Sequence, residues 1–433
     1  MPRLPLQDIR VVEIGVAQTA AFAAMLLADL GAEVIRVEST SYLPPGTRGV
    51  VARPSKEMIA GQVAFTGGYP DGEPGKRPWN RWANFNSTSR NKLSMTVDLK
   101  RPRGLEIFKR LIKVTDVLFE NNAPATMEKL GAAYEDLVKI KPNIIMVRFP
   151  GFGLKGPYAN WRSHGNQIDA VIGHELLRGY PDLDPTSSTS VFVTDCVCPA
   201  HGAFAAIMAL HYRNQTGHGQ LIEACATDTG LCLLGEALMD YSMNQRIQKT
   251  IGNQSPWGAV QGCYPCKGED RWITISIVSD KEWKSLCRVM DDSSWSQQDM
   301  FGDSFSRWKN QDKLNVYISA WTKQHEQQAL MLLLQKEGIS AGAVLDQRDA
   351  YNDPHFRERK FFEKVEHEDC GIHRYPGMLW KLSETPVGIR KPPIRLGEDN
   401  EYIYKGVIGI SDEEYAELEK EGHIGMDFIP EIL

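Results

Sequence analysis

The chain has 433 residues, enough for roughly two to three domains, and its composition, 42% hydrophobic and 24% charged, is that of an ordinary globular enzyme. Its 49 Lys and Arg residues against 55 Asp and Glu residues give a formal net charge of −6, which argues against nucleic acid or an anionic membrane as the main partner. Scattered cysteines, an N-terminus without an apolar signal segment and the lack of a long apolar run predict a reduced, cytoplasmic protein that does not span a membrane.

The first forty residues predict a βαβ unit. Residues 10–14 (RVVEI) are typical of a buried strand, residues 18–30 form an Ala- and Leu-rich helix, and residues 33–37 (EVIRV) form a second strand. This order implies a parallel sheet. The turn after the first strand is GVAQTA rather than G-x-G-x-x-G, so the usual dinucleotide fingerprint is missing.

Residues 41–82 are irregular and rich in Pro, Gly and Arg, which indicates a functional segment or one that wraps a partner. Helices and strands alternate beyond it, which favours an α/β fold. The predicted helices cover residues 102–114, 125–130, 134–140, 199–212, much of 225–255, 281–290 and 312–337, and a last helix has Ser411 and Glu414 as a capping box. The predicted strands cover residues 117–119, 144–147, 191–193 and 343–345, with a hairpin in 263–277.

Asp195 is a candidate nucleophile. It stands between the short strand predicted for 191–193 and the helix predicted to begin at Pro199. A carboxylate there faces the positive end of a helix, which favours the ionised form that a carboxylate nucleophile needs. An ordinary N-cap or first-turn aspartate gives the same pattern, so spacing alone leaves both interpretations open.

His164 and a basic segment also have two interpretations each. His164, in SHGNQID, is either a surface histidine or a base. Lys92, Lys100, Arg101 and Arg103 either form a solvated face or bind an anionic group such as a nucleotide phosphate.

No metal site is predicted. Cys263 and Cys266 form one C-x-x-C without a second pair, which is more typical of buried thiols than of structural zinc. HExxH, GxSxG and Walker A motifs are missing as well.

Several segments, in order along nearly the whole chain, resemble the class III CoA-transferase family, also called the CaiB/BaiF family. They include GVAQTAAFAAMLLADLGAEVIRVES, RNKLSMTVDLKRPRG, ENNAPATMEKLG, PGFGLKGPY and RNQTGHGQLIEACATD. The turn GYPD at 179–182 looks most like the benzylsuccinate-type CoA-transferases.

The resemblance implies an α/β fold with a Rossmann-like large domain, built on a parallel sheet, and a smaller α+β domain. The large domain would comprise residues 1–225 and 341–433, and the small domain residues 226–340. Two chains are expected to interlock as a homodimer, with a heterodimer as the alternative.

The implied reaction moves coenzyme A, as an acyl-CoA substrate and without a metal, to a free carboxylic acid through a covalent intermediate on Asp195. The family's CoA-binding positions correspond here to Val16, Ala17, Gln18, Thr19, Val97, Lys100, Asn121, Asn122, Lys129 and Leu130. The family's covering loop corresponds to residues 252–262, which have fewer glycines here.

Two alternatives stay open. The same family includes α-methylacyl-CoA racemases, in which a His and an Asp exchange an α-proton, and His164 and Asp195 stand at those positions. The chain could also be a non-catalytic subunit of a hetero-oligomeric CoA-transferase. The sequence does not determine the two acids between which CoA moves.

Overall fold

The computed structural model describes residues 3–61, 68–187, 192–291 and 294–432. Its strands are β1 Arg10–Ile14, β2 Glu33–Glu38, β3 Lys92–Thr96, β4 Val117–Glu120, β5 Ile145–Arg148, β6 Leu221–Glu223, β7 Gln261–Pro265, β8 Trp272–Ser276, β9 Ser340–Ala343, β10 Phe362–His367 and β11 Gly371–Pro376. Its α-helices are α1 Thr19–Asp29, α2 Lys56–Gly61, α3 Ala83–Ser87, α4 Pro102–Lys113, α5 Thr126–Leu130, α6 Tyr134–Leu137, α7 Gly165–Val171, α8 His174–Leu177, α9 Thr194–Thr216, α10 Ala226–Leu233, α11 Gly235–Asn244, α12 Asp280–Val289, α13 Ser304–Lys309, α14 Gln311–Thr322, α15 Gln327–Lys336, α16 Gln347–Asn352, α17 Pro354–Glu358 and α18 Asp412–Lys420. A π-helical turn covers Tyr402–Ile408.

Six parallel strands form the main sheet in the order β3-β2-β1-β4-β5-β6. This is the strand order of a doubly wound Rossmann fold, so the predicted α/β class is confirmed. The central strand β1 is buried on both faces because helices cover both sides of a parallel sheet.

The two faces of the sheet have separate cores. Val11 of β1 belongs to the face covered by α1 and α9, where small alanines from both helices allow close packing. Val12 belongs to the face covered by α4 and by the C-terminal residues Tyr404 and Leu418. The C-terminal part of the chain therefore completes the core that the N-terminal part begins.

The chain divides into two compact units. The large unit comprises Met1–Ile172, Ser190–Leu238 and Glu358–Leu433, and it holds the six-stranded sheet and the antiparallel hairpin of β10 and β11. The small unit comprises Gly173–Thr189 and Met239–Arg357. Its antiparallel sheet β7-β8-β9 shares a core with α12, α14 and α15.

The irregular segment predicted to wrap a partner packs against the tail of its own chain. Trp82 and Phe85 share a small core with Ile394, and Trp79 packs edge-on against Phe428. These contacts hold the described residues on either side of positions 62–67 against the C-terminal part of the chain.

Several predicted elements differ in the structure. The helix predicted for 312–337 is divided into α14 and α15. The strand predicted for 191–193 is wrong at Phe192 and Val193, which lie outside any strand, whereas Val191 lies outside the described residues. Helix α9 begins at Thr194, so Pro199 stands in its second turn rather than at its start.

A line of buried charges crosses the sheet beneath the loop that follows β1. Lys92 Nζ donates to Glu13 Oε2 (2.7 Å) and to the Ala21 carbonyl (2.8 Å), and Arg36 pairs with both Glu13 and Glu38. Arg48 completes the line with two 2.7 Å hydrogen bonds to Glu38.

Burial lowers the pKa of Lys92 to about 8 against the charge of Glu13. Burial alone would raise the pKa of Glu38, but Arg48 and Arg36 hold it below its usual range. The hypothesis that Lys92 belongs to a solvated or phosphate-binding face is therefore wrong, since its ammonium group is buried and bonded to Glu13 and the Ala21 carbonyl.

We expect Glu13→Gln to lower the free energy of unfolding by about 3–5 kcal/mol, because it leaves the buried cations Arg36 and Lys92 without their shared carboxylate. Urea denaturation measures the loss. The matched control is Glu73→Gln, which breaks an exposed 2.7 Å pair with Lys56 and should cost less than about 1 kcal/mol. Equal losses in the two variants would contradict the importance of the buried line.

Candidate active site

The carboxyl ends of β1 and β4 mark the point where the chain winds in opposite directions. The connection from β1 leads to β2 on one side, and the connection from β4 leads to β5 on the other. Such a switch point leaves a crevice outside the strand ends, where doubly wound proteins bind their ligands. The loop 15–18 and the residues 121–122 begin here.

Asn121 joins the two loops at this crevice. Its Oδ1 accepts a hydrogen bond from Val16 N (2.9 Å), and its Nδ2 donates to the Val16 carbonyl (2.7 Å). Asn122 Nδ2 donates to the Ile14 carbonyl (3.3 Å), and Asn122 N donates to Glu120 Oε2 (2.9 Å). Four of the predicted CoA-binding positions, 16, 17, 121 and 122, therefore lie side by side.

Further contacts fix the conformation of the loop 15–18. Arg36 of the buried line donates to the Gly15 carbonyl (3.1 Å), and a Cβ at Gly15 would stand only 3.1–3.3 Å from three neighbouring atoms. Ala17, at the exposed tip, has a φ of +53° and donates its N–H to Thr47 Oγ1 (3.1 Å). Gln18 and Thr19 then lead into α1.

The remaining predicted CoA positions follow β3 and β4 at the same edge. Lys100 is exposed, with Nζ 4.3 Å from the centre of the Tyr42 ring, and Lys129 is exposed on α5. Leu130 is half-buried, and Val97 is buried in the core of the second face. A CoA contact at Val97 would thus have to use its backbone.

The rest of the basic segment is paired within the chain. Arg101 donates to the Glu421 carbonyl (2.6 Å), and Arg103 pairs with Glu417 (2.8 Å). Of the four cations considered from sequence, Lys100 has its ammonium group exposed near the crevice.

Helix α9 carries Asp195 to the same edge of the sheet. It connects the parallel neighbours β5 and β6, so it runs antiparallel to them and its N-terminus lies at their carboxyl ends. Asp195 is the second residue of the helix. Gly202 allows α9 to lie directly against the ring of Phe149, which follows β5.

The carboxylate of Asp195 lies in a partly buried, crowded place. A Cβ at Gly165 would stand 2.8 Å from its Oδ2 and 2.6 Å from the Cβ of Phe192. Burial and the charge of Asp169 raise the pKa of Asp195 to about 6, against the opposing charge of His164. The net pKa shift is therefore opposite to the one expected from the helix end, because burial and Asp169 act in the other direction. At pH 7 roughly nine-tenths of the group is still ionised.

Sequence reasoning missed Asp169. This residue of α7 is fully buried, and its Oδ1 accepts a hydrogen bond from Thr194 Oγ1 (3.1 Å). Nothing in the local pattern distinguishes it from a solvated helix aspartate. His164 was singled out, and the structure places it, exposed, immediately before α7, with Gln167 Oε1 accepting from its backbone N (2.9 Å).

Cys196 and Cys198 follow Asp195 in α9, and within the described part of the chain the cysteines belong to no metal cluster. All eight cysteines are free. Burial and Asp195 raise the pKa of Cys196, and burial raises the pKa of Cys198 to about 12. Within the ranges described above, no three His, Cys, Asp or Glu side chains are grouped to hold a metal, and no helix has the length and apolarity to cross a membrane.

Comparison with known proteins agrees with this geometry. The chain is 30% identical to the succinyl-CoA–D-citramalate CoA-transferase of Chloroflexus aurantiacus over 96% of its own length and 98% of that protein. It is 29% identical to the beta subunit of the succinyl-CoA–L-malate CoA-transferase of the same organism over 96% and 97% of the two chains. A crystal structure of a CaiB/BaiF family protein from Brucella suis matches with a TM-score of 0.79 and 25% identity, covering 94% of this chain and all of that one.

The family model of CoA-transferase family III matches residues 6–400. This match, the order of the six strands and the named relatives agree with one another. The chain belongs to CoA-transferase family III and is a transferase of CoA groups.

Proposed function

We propose that the protein moves CoA from an acyl-CoA thioester to a free carboxylic acid through a covalent intermediate on Asp195. The observation that carries the proposal is that a partly buried carboxylate, at the start of α9, lies at the same carboxyl edge of the sheet as the loops after β1 and β4, which Asn121 joins. A nucleophile and a site for an extended anionic substrate thus share one edge of the sheet.

The reaction would proceed by exchange of acyl bonds. The ionised carboxylate attacks the thioester carbon, so that a C–O bond forms, the C–S bond breaks and a mixed anhydride is left. The released CoA thiolate then attacks the Asp195 carbonyl and expels the donor acid. The acceptor carboxylate attacks the aspartyl thioester, and CoA returns to the acceptor carbonyl, which frees Asp195. Each step preserves an activated acyl group.

The crevice would bind CoA through its loops and two lysines. The loop 15–18 offers backbone groups at the switch point, and Lys100 and Lys129 present exposed ammonium groups that suit phosphates as point charges. The residues therefore fit an elongated anionic substrate.

We infer that the acids are small dicarboxylic or hydroxydicarboxylic acids. The relatives named above act, by their names, on succinyl-CoA with D-citramalate or L-malate. The first substrates to test are succinyl-CoA as the donor and D-citramalate, L-malate and benzylsuccinate as acceptors.

Asp195→Ala should reduce transfer from succinyl-CoA by at least about a thousandfold, because the nucleophile is lost. The assay follows acceptor-CoA formation, with hydroxylamine added to the wild type to trap Asp195 as a hydroxamate that mass spectrometry locates. Asp228→Ala is the matched control, since Asp228 is an exposed first-turn aspartate of α10. Full activity of Asp195→Ala would refute the nucleophile.

The same preparation separates the two rival functions. A racemase that uses His164 and Asp195 would incorporate α-deuterium into an acyl-CoA in deuterated water without any acceptor acid. A transferase forms new thioester only when the acceptor is added. A non-catalytic subunit would give no turnover until a second chain is supplied.

Asn121→Ala should raise the KM for succinyl-CoA roughly five- to tenfold while kcat changes little, because it frees the loop 15–18 from two hydrogen bonds of ordinary strength. Steady-state kinetics at saturating acceptor provide the measurement. The control is Asn352→Ala, an exposed amide at the end of α16. An unchanged KM would place CoA elsewhere.

We also propose that two copies of this chain associate. Phe204, Met208 and Tyr212 follow at intervals of four along α9 and are 62%, 55% and 48% exposed. An exposed apolar stripe on a helix that otherwise packs in the core is typical of an interface. The names of relatives as alpha and beta subunits support an oligomer and keep a heterodimer as the alternative.

The double variant Phe204→Lys with Met208→Lys should convert a dimer into monomers, because it places two charges in the apolar stripe. Light scattering after gel filtration gives the mass. Leu332→Lys, at a position 66% exposed on α15, is the control. A wild type that is monomeric alone would favour a heteromeric partner, and a dimer that survives the double variant would place the interface elsewhere.

A further inference from the structure

We propose that Asp169 is a positioning residue for the nucleophile, which fixes Thr194 and with it the neighbouring Asp195, and whose buried carboxylate acts electrostatically on the carboxylate of Asp195. The inference rests on the proposed role of Asp195 and adds a residue that neither the sequence motifs nor the relatives' names assign.

The geometry ties Asp169 to the start of α9. Asp169 is 0% exposed and Thr194 is 1% exposed, and the hydroxyl of Thr194 donates to Asp169 Oδ1 at 3.1 Å. Helix α7 packs against both α9 and α10. On the other side of Thr194, a Cβ at Gly230 of α10 would stand 2.9 Å from its Cγ2. Thr194 is thus enclosed by two helices, and the orientation of the next residue, Asp195, is fixed with it.

The charges around the nucleophile are few. Burial, Asp169 and His164 act on the pKa of Asp195, and the first two raise it. Helix α9 itself carries the thiols of Cys196 and Cys198, the exposed His201 and His211, and Arg213, which pairs with Asp116. The elements packed against it add the thiols of Cys225 and Cys232, the exposed Asp228 of α10, Asp29 of α1, which pairs with Arg90, and Arg148 of β5, which pairs with Glu120. Asp169 is therefore the negative charge that raises the pKa of Asp195 above that of an ordinary aspartate.

A more basic Asp195 favours the first half of the reaction, in which the donor acid must leave, and the same preference opposes the second half, in which the aspartate must leave. Free aliphatic carboxylic acids have pKa values of about 4, below that of Asp195. When CoA attacks the mixed anhydride, the weaker base is the better leaving group. The donor acid therefore leaves in preference to the aspartate, so the aspartyl thioester forms rather than the original acyl-CoA. The same basicity makes Asp195 a better nucleophile while it remains ionised near pH 7.

The test is the pH dependence of kcat/KM for succinyl-CoA, and in particular its acid limb, the range in which kcat/KM falls as the pH is lowered. In the wild type the rate should fall tenfold per pH unit below about pH 6, because only the ionised carboxylate attacks. Asp169→Asn keeps an oxygen for Thr194 but removes the charge, so the limb should move down by about one pH unit. Asp169→Ser removes the same charge in a smaller side chain and serves if the first variant is unstable. Asp169→Glu keeps the charge and should hold the limb near pH 6.

Thr194→Val separates the two parts of the proposal. It removes the hydroxyl and keeps the charge, so kcat should fall roughly fivefold without movement of the limb, and Thr194→Ser should restore kcat. A limb that stays near pH 6 in both charge-removing variants, while Asp195→Ala is inactive, overturns the role of Asp169 alone. Activity in Asp195→Ala overturns the proposed function itself.

Discussion

The crevice depends on the buried line of charges that runs from Lys92 through Glu13, Arg36 and Glu38 to Arg48. Ions removed from water are tolerated only when each finds partners, and here every carboxylate lies between two cations. The line joins β1, β2 and β3, and Arg36 in its middle also donates a hydrogen bond to the Gly15 carbonyl. A loop without the usual glycine fingerprint is thereby given a fixed shape by side chains rather than by its own sequence.

The site divides its tasks between two rigid parts of the large unit. The sheet supplies the loops after β1 and β4, which Asn121 fastens together. Helix α9, pressed against the end of β5, supplies the carboxylate. Because both parts belong to regular elements, the proposed substrate and nucleophile would meet with little loss of conformational freedom. The buried neighbour Asp169 raises the pKa of Asp195, the proposed nucleophile.

The sequence allowed the βαβ unit, the α/β class and most helix positions to be predicted, because hydrophobic periodicity and Gly or Pro boundaries are local signals. The burial of Lys92 could not be predicted, since its partner Glu13 is 79 residues away in the chain. The start of α9 was misjudged because Pro199 is typical of a first turn, whereas here it stands in the second. The basicity of Asp195 depends on burial and on Asp169 of another helix, and neither is visible in a single segment.

The contact between Gly202 and the ring of Phe149 constrains the position of Asp195 on α9. Any larger residue at position 202 would collide with a ring that is itself buried, so the ring or the helix would have to move. Since Asp195 is carried two turns upstream on the same helix, a change in helix height would displace the reacting carboxylate. A larger side chain at position 202 is therefore expected to disturb the placement of Asp195 from a distance of two helical turns.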